Sequence, residues 1–393
     1  MRIALVSADI SPLAAGVGSF IKGLADNLCS AGQEVTLLTS DIAYRGELAS
    51  SQLELDPRVD IKLFKSRSRL NRRIYRASTL RKWLEQNVSQ FDIVHIQGVW
   101  SFITVDAANV CARSGVPYII TTHGHTARED WKKRLFSKPV FFKLFCERGW
   151  KQAGAIHFLS EGERENSVVQ ATGRSTIVPN AVAAPAGAHD PRSALQFRRK
   201  FAIAENVPII LFLGRIVAHK GVAEILDAFQ ILHARGLKAV LVLAGTGNDS
   251  FAEMIAAKAK ALSCAGSIRV TGPLYGEDKA GAFASATVFA TLSLSEGLPI
   301  APLEAIASGV PIVISERTHI PEVAEYRAGL IVKRTAIDAA DALARIVADP
   351  QLSSEMAANA LKLARECFSW QAVLPKMINF YQAVAEAAVA EAA

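Results

Sequence analysis

The sequence lacks several features that would fix its class at once. No run of about 18 apolar residues occurs, so no membrane-spanning helix is expected. The five cysteines, Cys29, Cys111, Cys146, Cys264 and Cys367, are odd in number and far apart, with no CxxC and no Cys/His ligand spacing. That pattern excludes a disulfide scaffold and a structural zinc, and it reads as reduced thiols in a cytoplasmic protein. No Asp-x-Asp pair is present to hold a metal on a phosphate group. There is no short-period repeat, no long low-complexity segment and no recognisable nucleic-acid module, so nucleic acid is set aside as a partner. The opening MRIALVSADI has a short apolar run interrupted by Asp9, and reads as a first β-strand rather than a secretion signal.

What remains is 393 residues, half of them hydrophobic, with a net charge of +7. The length suits two domains, each with its own core. The charge allows an anionic membrane surface or a phosphorylated substrate without choosing between them. Apolar strands alternate with helical spacing throughout. Ile3 to Ser7 is followed by Gly16 and Gly18, expected in a loop, and then by a helix with Phe20, Ile21, Leu24 and Leu28 on one face. Only two of the three glycines of a full GxGxxG pattern are placed, so a plain tight turn is as good a reading as a ligand loop. The small, Pro/Gly-containing stretch AVAAPAGAHDP marks a change of composition. It divides a first domain, 1–183, from a linker at 184–191 and a second domain at 192–370. A helical, alanine-rich tail at 371–393 is expected to pack back toward the first domain. Both halves carry βα units on a parallel sheet, and two such domains facing each other make a cleft lined by strand ends.

The most informative stretch is TLSLSEGLPIAPLEAIASGVPIVIS, residues 291–315. It reads as a strand end, a polar turn, a small-residue helix and a second strand. Glu296 falls in the turn and Glu304 inside the helix. Pro299 or Pro302 suits the first helical turn, where a missing N–H costs nothing. The N–H groups around Leu298 to Ile300 then lie at an open helix end, a natural phosphate site at the carboxyl edge of a parallel sheet. A carboxylate one or two turns in suits sugar hydroxyls. The plainer alternative is an ordinary βαβ turn with two surface glutamates. FLGRIVAHKG adds Arg215 just after a strand and Lys220 at the start of the next helix, two cations suited to a diphosphate.

In the first half, YIITTHGHTARED sets His123, Gly124 and His125 just past a strand's carboxyl end, without metal-ligand spacing. Residues 62–82 carry nine Lys or Arg and no acid. They are either a solvated face or a patch for anionic lipid or a phosphate-bearing acceptor. Residues 131–151 mix Trp131, Phe136, Phe141, Phe142, Phe145 and Trp150 with basic residues. They read as an interfacial amphipathic element or as aromatics packed into the core.

Taken in order, these pieces resemble the retaining GT-B glycosyltransferases of family 4. The resemblance rests on Gly16–Gly18, THG at 122–124, PNAV at 179–182, GR…KG at 214–221, AGTG at 244–247, and E-x7-E at 296–304 followed by LEAIASGVPIV. It implies an α/β fold of two Rossmann-like domains and transfer of a sugar from a nucleotide-diphosphate sugar to an acceptor hydroxyl. It also implies retained configuration and no cofactor or metal. In the implied roles, Arg215 and Lys220 neutralise the leaving diphosphate and Glu304 holds the ribose. Glu296 and the N–H groups of Leu298 to Ile300 hold donor sugar and phosphate, and His123 contacts the transferred sugar. Gly16, Gly18, Gly214, Gly245, Gly297 and Pro299 complete the donor-binding set. Two departures stand out. Pro299 occupies a turn that is usually glycine-rich and removes one N–H, and Thr318-His319 stands where many members have two glycines.

VHIQGVWS and THGH look like the members that build bacterial surface polysaccharides. With the basic segments, they suggest a saccharide or lipid-linked saccharide acceptor and peripheral contact with the inner face of an anionic membrane. The alternatives are a nucleotide-sugar 2-epimerase, which shares the two-domain architecture, and a binding protein that kept the fold without turnover.

Overall fold

In the computed structural model of the chain, the described residues are 1–10, 15–43, 46–47, 53–66, 76–132, 137–171, 173–247 and 250–392. The chain forms two compact units. One comprises Met1–Ala181 with Trp370–Ala393, the other Val182–Ser369.

The first unit is built on a seven-stranded parallel sheet of β1 (Arg2–Ser7), β2 (Glu34–Ser40), β3 (Asp60–Phe64), β4 (Ile93–Gln97), β5 (Tyr118–Thr121), β6 (Ala155–Phe158) and β7 (Ser175–Ile177). Their order is β3-β2-β1-β4-β5-β6-β7. The interior strand β1 registers Ile3 against Val35 on one side and Ile93 on the other. Ile3 to Val6 are fully buried, which explains the unbroken apolar run: helices cover both faces of a parallel sheet. The helix Phe102–Ser114 shows how local sequence sets the boundaries. Ser101 accepts the Thr104 N–H at its start, and Gly115 takes the left-handed conformation at its end.

The second unit repeats the plan with β8 (Ile209–Leu213), β9 (Val240–Ala244), β10 (Ile268–Gly272), β11 (Val288–Thr291), β12 (Ile312–Ser315) and β13 (Gly329–Val332). The order is β10-β9-β8-β11-β12-β13, all parallel. In both sheets the order reverses beside the first strand, and ligands of such sheets bind at the carboxyl ends there.

One expectation changes. The helix that begins the first unit runs from Ala15 to Ser30, so Gly16 and Gly18 lie in its first turn rather than in a preceding loop. Residues 11–14 of that loop lie outside the described residues, as do 67–75 of the basic segment, Phe136, and 248–249 after AGTG. In the aromatic segment, Trp131, Phe141, Phe142 and Trp150 pack on the core, so core packing accounts for most of the aromatics. Val140, Leu144 and Phe145 nevertheless stay exposed beside Lys143. The final helix, Trp370–Ala392, belongs to the first unit, where Trp370 stacks on Phe20 and Tyr381 is fully buried.

Candidate active site

In the second unit the site is assembled by backbone. The chain leaves β8 through Gly214 and leaves β9 through Gly245. A Cβ on Gly245 would overlap the Gly214 carbonyl oxygen, so glycine lets the two strand exits touch. Arg215 follows, exposed to solvent. A short turn, Ala218–Lys220, then leads through Gly221 into the helix Val222–Ala234. Gly221 has φ +74°, and a Cβ there would overlap the Leu292 carbonyl at the end of β11. These glycines therefore have packing reasons of their own.

The turn after β11 is fastened to this corner. Leu294 N–H donates to the His219 carbonyl at 2.7 Å. Arg334 donates to the Leu292 carbonyl at 2.8 Å and the Ala218 carbonyl at 2.9 Å, and pairs with Glu224 at 2.7 Å. Ser315 donates its hydroxyl to the Ser293 carbonyl at 2.6 Å. With the corner held this way, Lys220 Nζ lies 2.6 Å from Glu296 Oε1. Oε1 has no aligned hydrogen bond, so the contact is one of charge more than direction. Burial pushes the Glu296 carboxyl up, but Lys220, Ser293 and His219 together outweigh it and hold the carboxyl below its ordinary range.

Past Glu296 the buried Gly297, Leu298 and Pro299 lead into the helix Ile300–Ala307. Pro299 is its N-cap with extended backbone, and Pro302 lies in the first turn. The helix ends in a Schellman arrangement: Gly309 has φ +71°, its N–H donates to Ile306, and the Val310 N–H donates to Ala305. Glu304 sits inside this helix, only 8% exposed, and accepts a hydrogen bond from Lys279 Nζ at 2.6 Å. Here burial wins over the lysine, and the carboxyl is raised. Lys279 and Arg334 were invisible to sequence reasoning, which read neither as part of the site.

In the first unit, β5 delivers Thr122, His123 and Gly124 into a left-handed turn with φ of +49° at His123 and +74° at Gly124. Glu163, 1% exposed, holds this turn by accepting the Thr122 hydroxyl at 2.5 Å, the Leu159 N–H at 2.6 Å and the Gly124 N–H. His123 Nε2 lies 2.7 Å from Gln97 Oε1, and the Phe20 ring meets the imidazole in a T-shaped contact. Desolvation first, then the neighbouring His125 and His157, keep His123 neutral by lowering its pKa well below the ordinary value. Gly18, buried in the first turn of the helix Ala15–Ser30, and the half-buried Gly16 beside it belong to this unit. Among the described residues no cluster of His, Cys, Asp and Glu has the make-up of a metal site.

Two Rossmann-type parallel sheets, one in each unit, define the GT-B fold. The description "Glycosyl transferases group 1" matches residues 194–363, and "Glycosyltransferase Family 4" matches 14–184. The chain thus belongs to the group 1, family 4 glycosyltransferases. It is 28% identical over 289 residues to alpha-maltose-1-phosphate synthase of Mycolicibacterium smegmatis, covering 69% of this chain and 74% of that protein. It is 24% identical to D-inositol 3-phosphate glycosyltransferase of Corynebacterium jeikeium, over 97% of this chain and 96% of the relative. A match at 27% identity covers 49% of this chain and 51% of a GDP-mannose-dependent alpha-(1-6)-phosphatidylinositol monomannoside mannosyltransferase of Mycobacterium tuberculosis. Among solved structures, Anabaena Alr3699/HepE in complex with UDP and glucose superposes with a TM-score of 0.76. That match has 15% identity and covers 97% of this chain and 99% of the other. Sucrose-phosphate synthase from Thermosynechococcus elongatus gives 0.74 at 19% identity, covering 98% and 100%.

Proposed function

We propose that this glycosyltransferase moves a sugar from a nucleoside-diphosphate sugar to an acceptor hydroxyl with retention of configuration and without a metal. The observation that carries the reading is the 2.6 Å contact between Lys220 and Glu296, which ties a cation to the turn that leads into the helix Ile300–Ala307. Charge develops on the departing phosphate, so the main demand is electrostatic. Arg215, Lys220 and the N–H groups of Leu298 and Ile300 meet it, while Glu296 balances Lys220 until the donor arrives. Glu304 accepts the ribose hydroxyls, and His123 contacts the transferred sugar. Several relatives are named for nucleotide, sugar-phosphate or inositol substrates, which supports this donor and acceptor class.

The test is calorimetric titration with UDP, GDP and ADP in the presence of EDTA, on the wild type, Lys220→Ala and Glu304→Ala. One nucleotide should bind, and each substitution should weaken it by about tenfold or more, the size of a lost charged hydrogen bond. Binding that survives both changes would refute the seat. The anomeric configuration of the product, read by NMR, tests retention.

The acceptor is a saccharide or lipid-linked saccharide of a bacterial surface polymer, reached at an anionic membrane. The exposed Val140, Leu144 and Phe145 beside Lys143 support peripheral contact. No helix among the described residues is long and apolar enough to cross a membrane. Absence of binding to anionic liposomes at low salt would count against the membrane contact alone.

A further inference from the structure

We propose that Lys279 is a positioning residue for the donor nucleotide: it keeps Glu304 ionised and turned so that the free part of the carboxylate accepts the ribose hydroxyls. The inference rests on the reading of Glu304 as the ribose partner. A carboxylate this deep in protein must be paired or lose its charge. Once protonated it carries an O–H donor and loses acceptor capacity. Lys279 Nζ bonds Oε1 at 2.6 Å, which leaves Oε2 and the remaining lone pairs of Oε1.

The lysine is well placed to act alone. The helix Ile300–Ala307 has no second ionisable residue, and neither do the flanking strands β11 and β12. On the helix Gly276–Ser285 that carries Lys279, Asp278 is tied to Lys200 at 2.6 Å, and Glu277 is the other acid. The segments Pro350–Leu363 and Ala364–Phe368, which pack against the helix Ile300–Ala307, carry Glu355, Lys362, Arg365, Glu366 and Cys367. None of these five pairs with Glu304, and Glu366 accepts the Tyr326 hydroxyl at 2.7 Å. Lys279 is only about a quarter exposed, so its ammonium is held at the carboxylate and not in solvent.

The experiment compares binding of the preferred nucleoside diphosphate among UDP, GDP and ADP with its 2′,3′-dideoxy analogue, by calorimetry from pH 6 to 8.5. In the wild type the ribose form should bind about tenfold tighter at every pH, the worth of a charge-assisted hydrogen bond. Lys279→Met should lose that preference at pH 6 and recover part of it toward pH 8.5, as Glu304 ionises without help. Lys279→Arg should retain it. Lys279→Gln serves in place of Lys279→Met if the latter misfolds. An unchanged ratio in Lys279→Met at every pH overturns the proposal, and so does an equal loss for both ligands, which marks a general structural role. A Glu304→Ala protein, which has no side-chain acceptor, that still prefers ribose overturns the underlying reading instead. Failure of all three nucleotides to bind overturns both.

Discussion

His123 and Gln97 meet at 2.7 Å through the ring Nε2 and the amide Oε1. A carbonyl oxygen can only accept, so Nε2 carries the proton and Nδ1 is left as a bare acceptor. The amide Nε2 of Gln97, in a side chain 4% exposed, has no partner among the described residues. Gln97 thus fixes the tautomer of the histidine that the proposed mechanism sets against the sugar, and holds an unused donor beside it.

Gln97→Leu should therefore lower kcat/KM by about tenfold, the equivalent of ~1.4 kcal/mol. Gln97→Glu keeps an acceptor but adds a negative charge, which raises the His123 pKa from its depressed value. The wild type should show no His123 titration between about pH 6 and 8, and Gln97→Glu should gain one there. Matching pH profiles of kcat/KM for the two proteins would remove Gln97 from this role.

A second buried chain has a fixed direction as well. The Tyr381 hydroxyl donates to His95 Nδ1 at 2.7 Å, and His95 Nε2 donates to the Thr121 hydroxyl at 2.5 Å. Thr121 donates to His157 Nδ1 at 2.7 Å, and His157 Nε2 donates to the Val178 carbonyl at 2.8 Å. Each ring has one donor and one acceptor in use, so protonating either imidazole breaks a bond. Burial lowers His157 from 6.5 to about 4, and burial, then His157 and His123, lower His95 well below its ordinary value. The folded state therefore binds fewer protons than the unfolded state in this window. Stability from this chain is fully present above the unfolded pKa of 6.5 and is lost as pH falls toward about 4. Tm should drop over that interval, and Tyr381→Phe should cost about 1–2 kcal/mol at pH 7.5 by orphaning His95. A Tm that stays level from pH 6.5 to 4 would contradict this account.

The frame of the protein was legible because its strands are continuous apolar runs and its helices keep one apolar face. Ile209 to Phe212 and Val240 to Ala244 are buried almost throughout, the signature of a parallel sheet covered on both sides. The E-x7-E stretch was legible because strand end, turn, helix and strand follow one another within 25 residues. The residues that hold the site together were not. Lys279 reaches Glu304 across 25 positions, Glu163 reaches Thr122 across 41, and Arg334 reaches Ala218 across 116. Such pairings are made by the sheet order, which no local spacing reports. Glu163 was also disguised. Ser160-x-x-Glu163 reads as a capping box, and Ser160 does accept the Glu163 N–H. The carboxylate turns instead to Leu159, Thr122 and Gly124. The unusual Thr318-His319 acquires a physical meaning too. His319 has φ +59°, a left-handed position where glycine is the unstrained residue.

Arg334 offers the sharpest separation of support from chemistry. Its guanidinium joins the end of β11, through the Leu292 carbonyl, to the turn that presents Lys220, through the Ala218 carbonyl. It is itself anchored on Glu224. Arg334→Met keeps the aliphatic stem but leaves the fully buried Leu292 with its carbonyl unmet, a cost of about 1–3 kcal/mol. For a unit of this size each kcal/mol lowers Tm by about 2–4 °C. If the corner then loosens, Lys220 and Glu296 lose their register, and nucleotide affinity should fall by about tenfold although Arg334 has no assigned contact with the donor. Lysine should rescue this only in part, because a single ammonium cannot reproduce the planar fork that meets two carbonyls and a carboxylate. Thermal melting and nucleotide titration on Arg334→Met and Arg334→Lys decide the matter. A lowered Tm with unchanged affinity would confine Arg334 to stability and leave the Lys220 turn held by its other contacts, among them the Leu294 N–H on the His219 carbonyl.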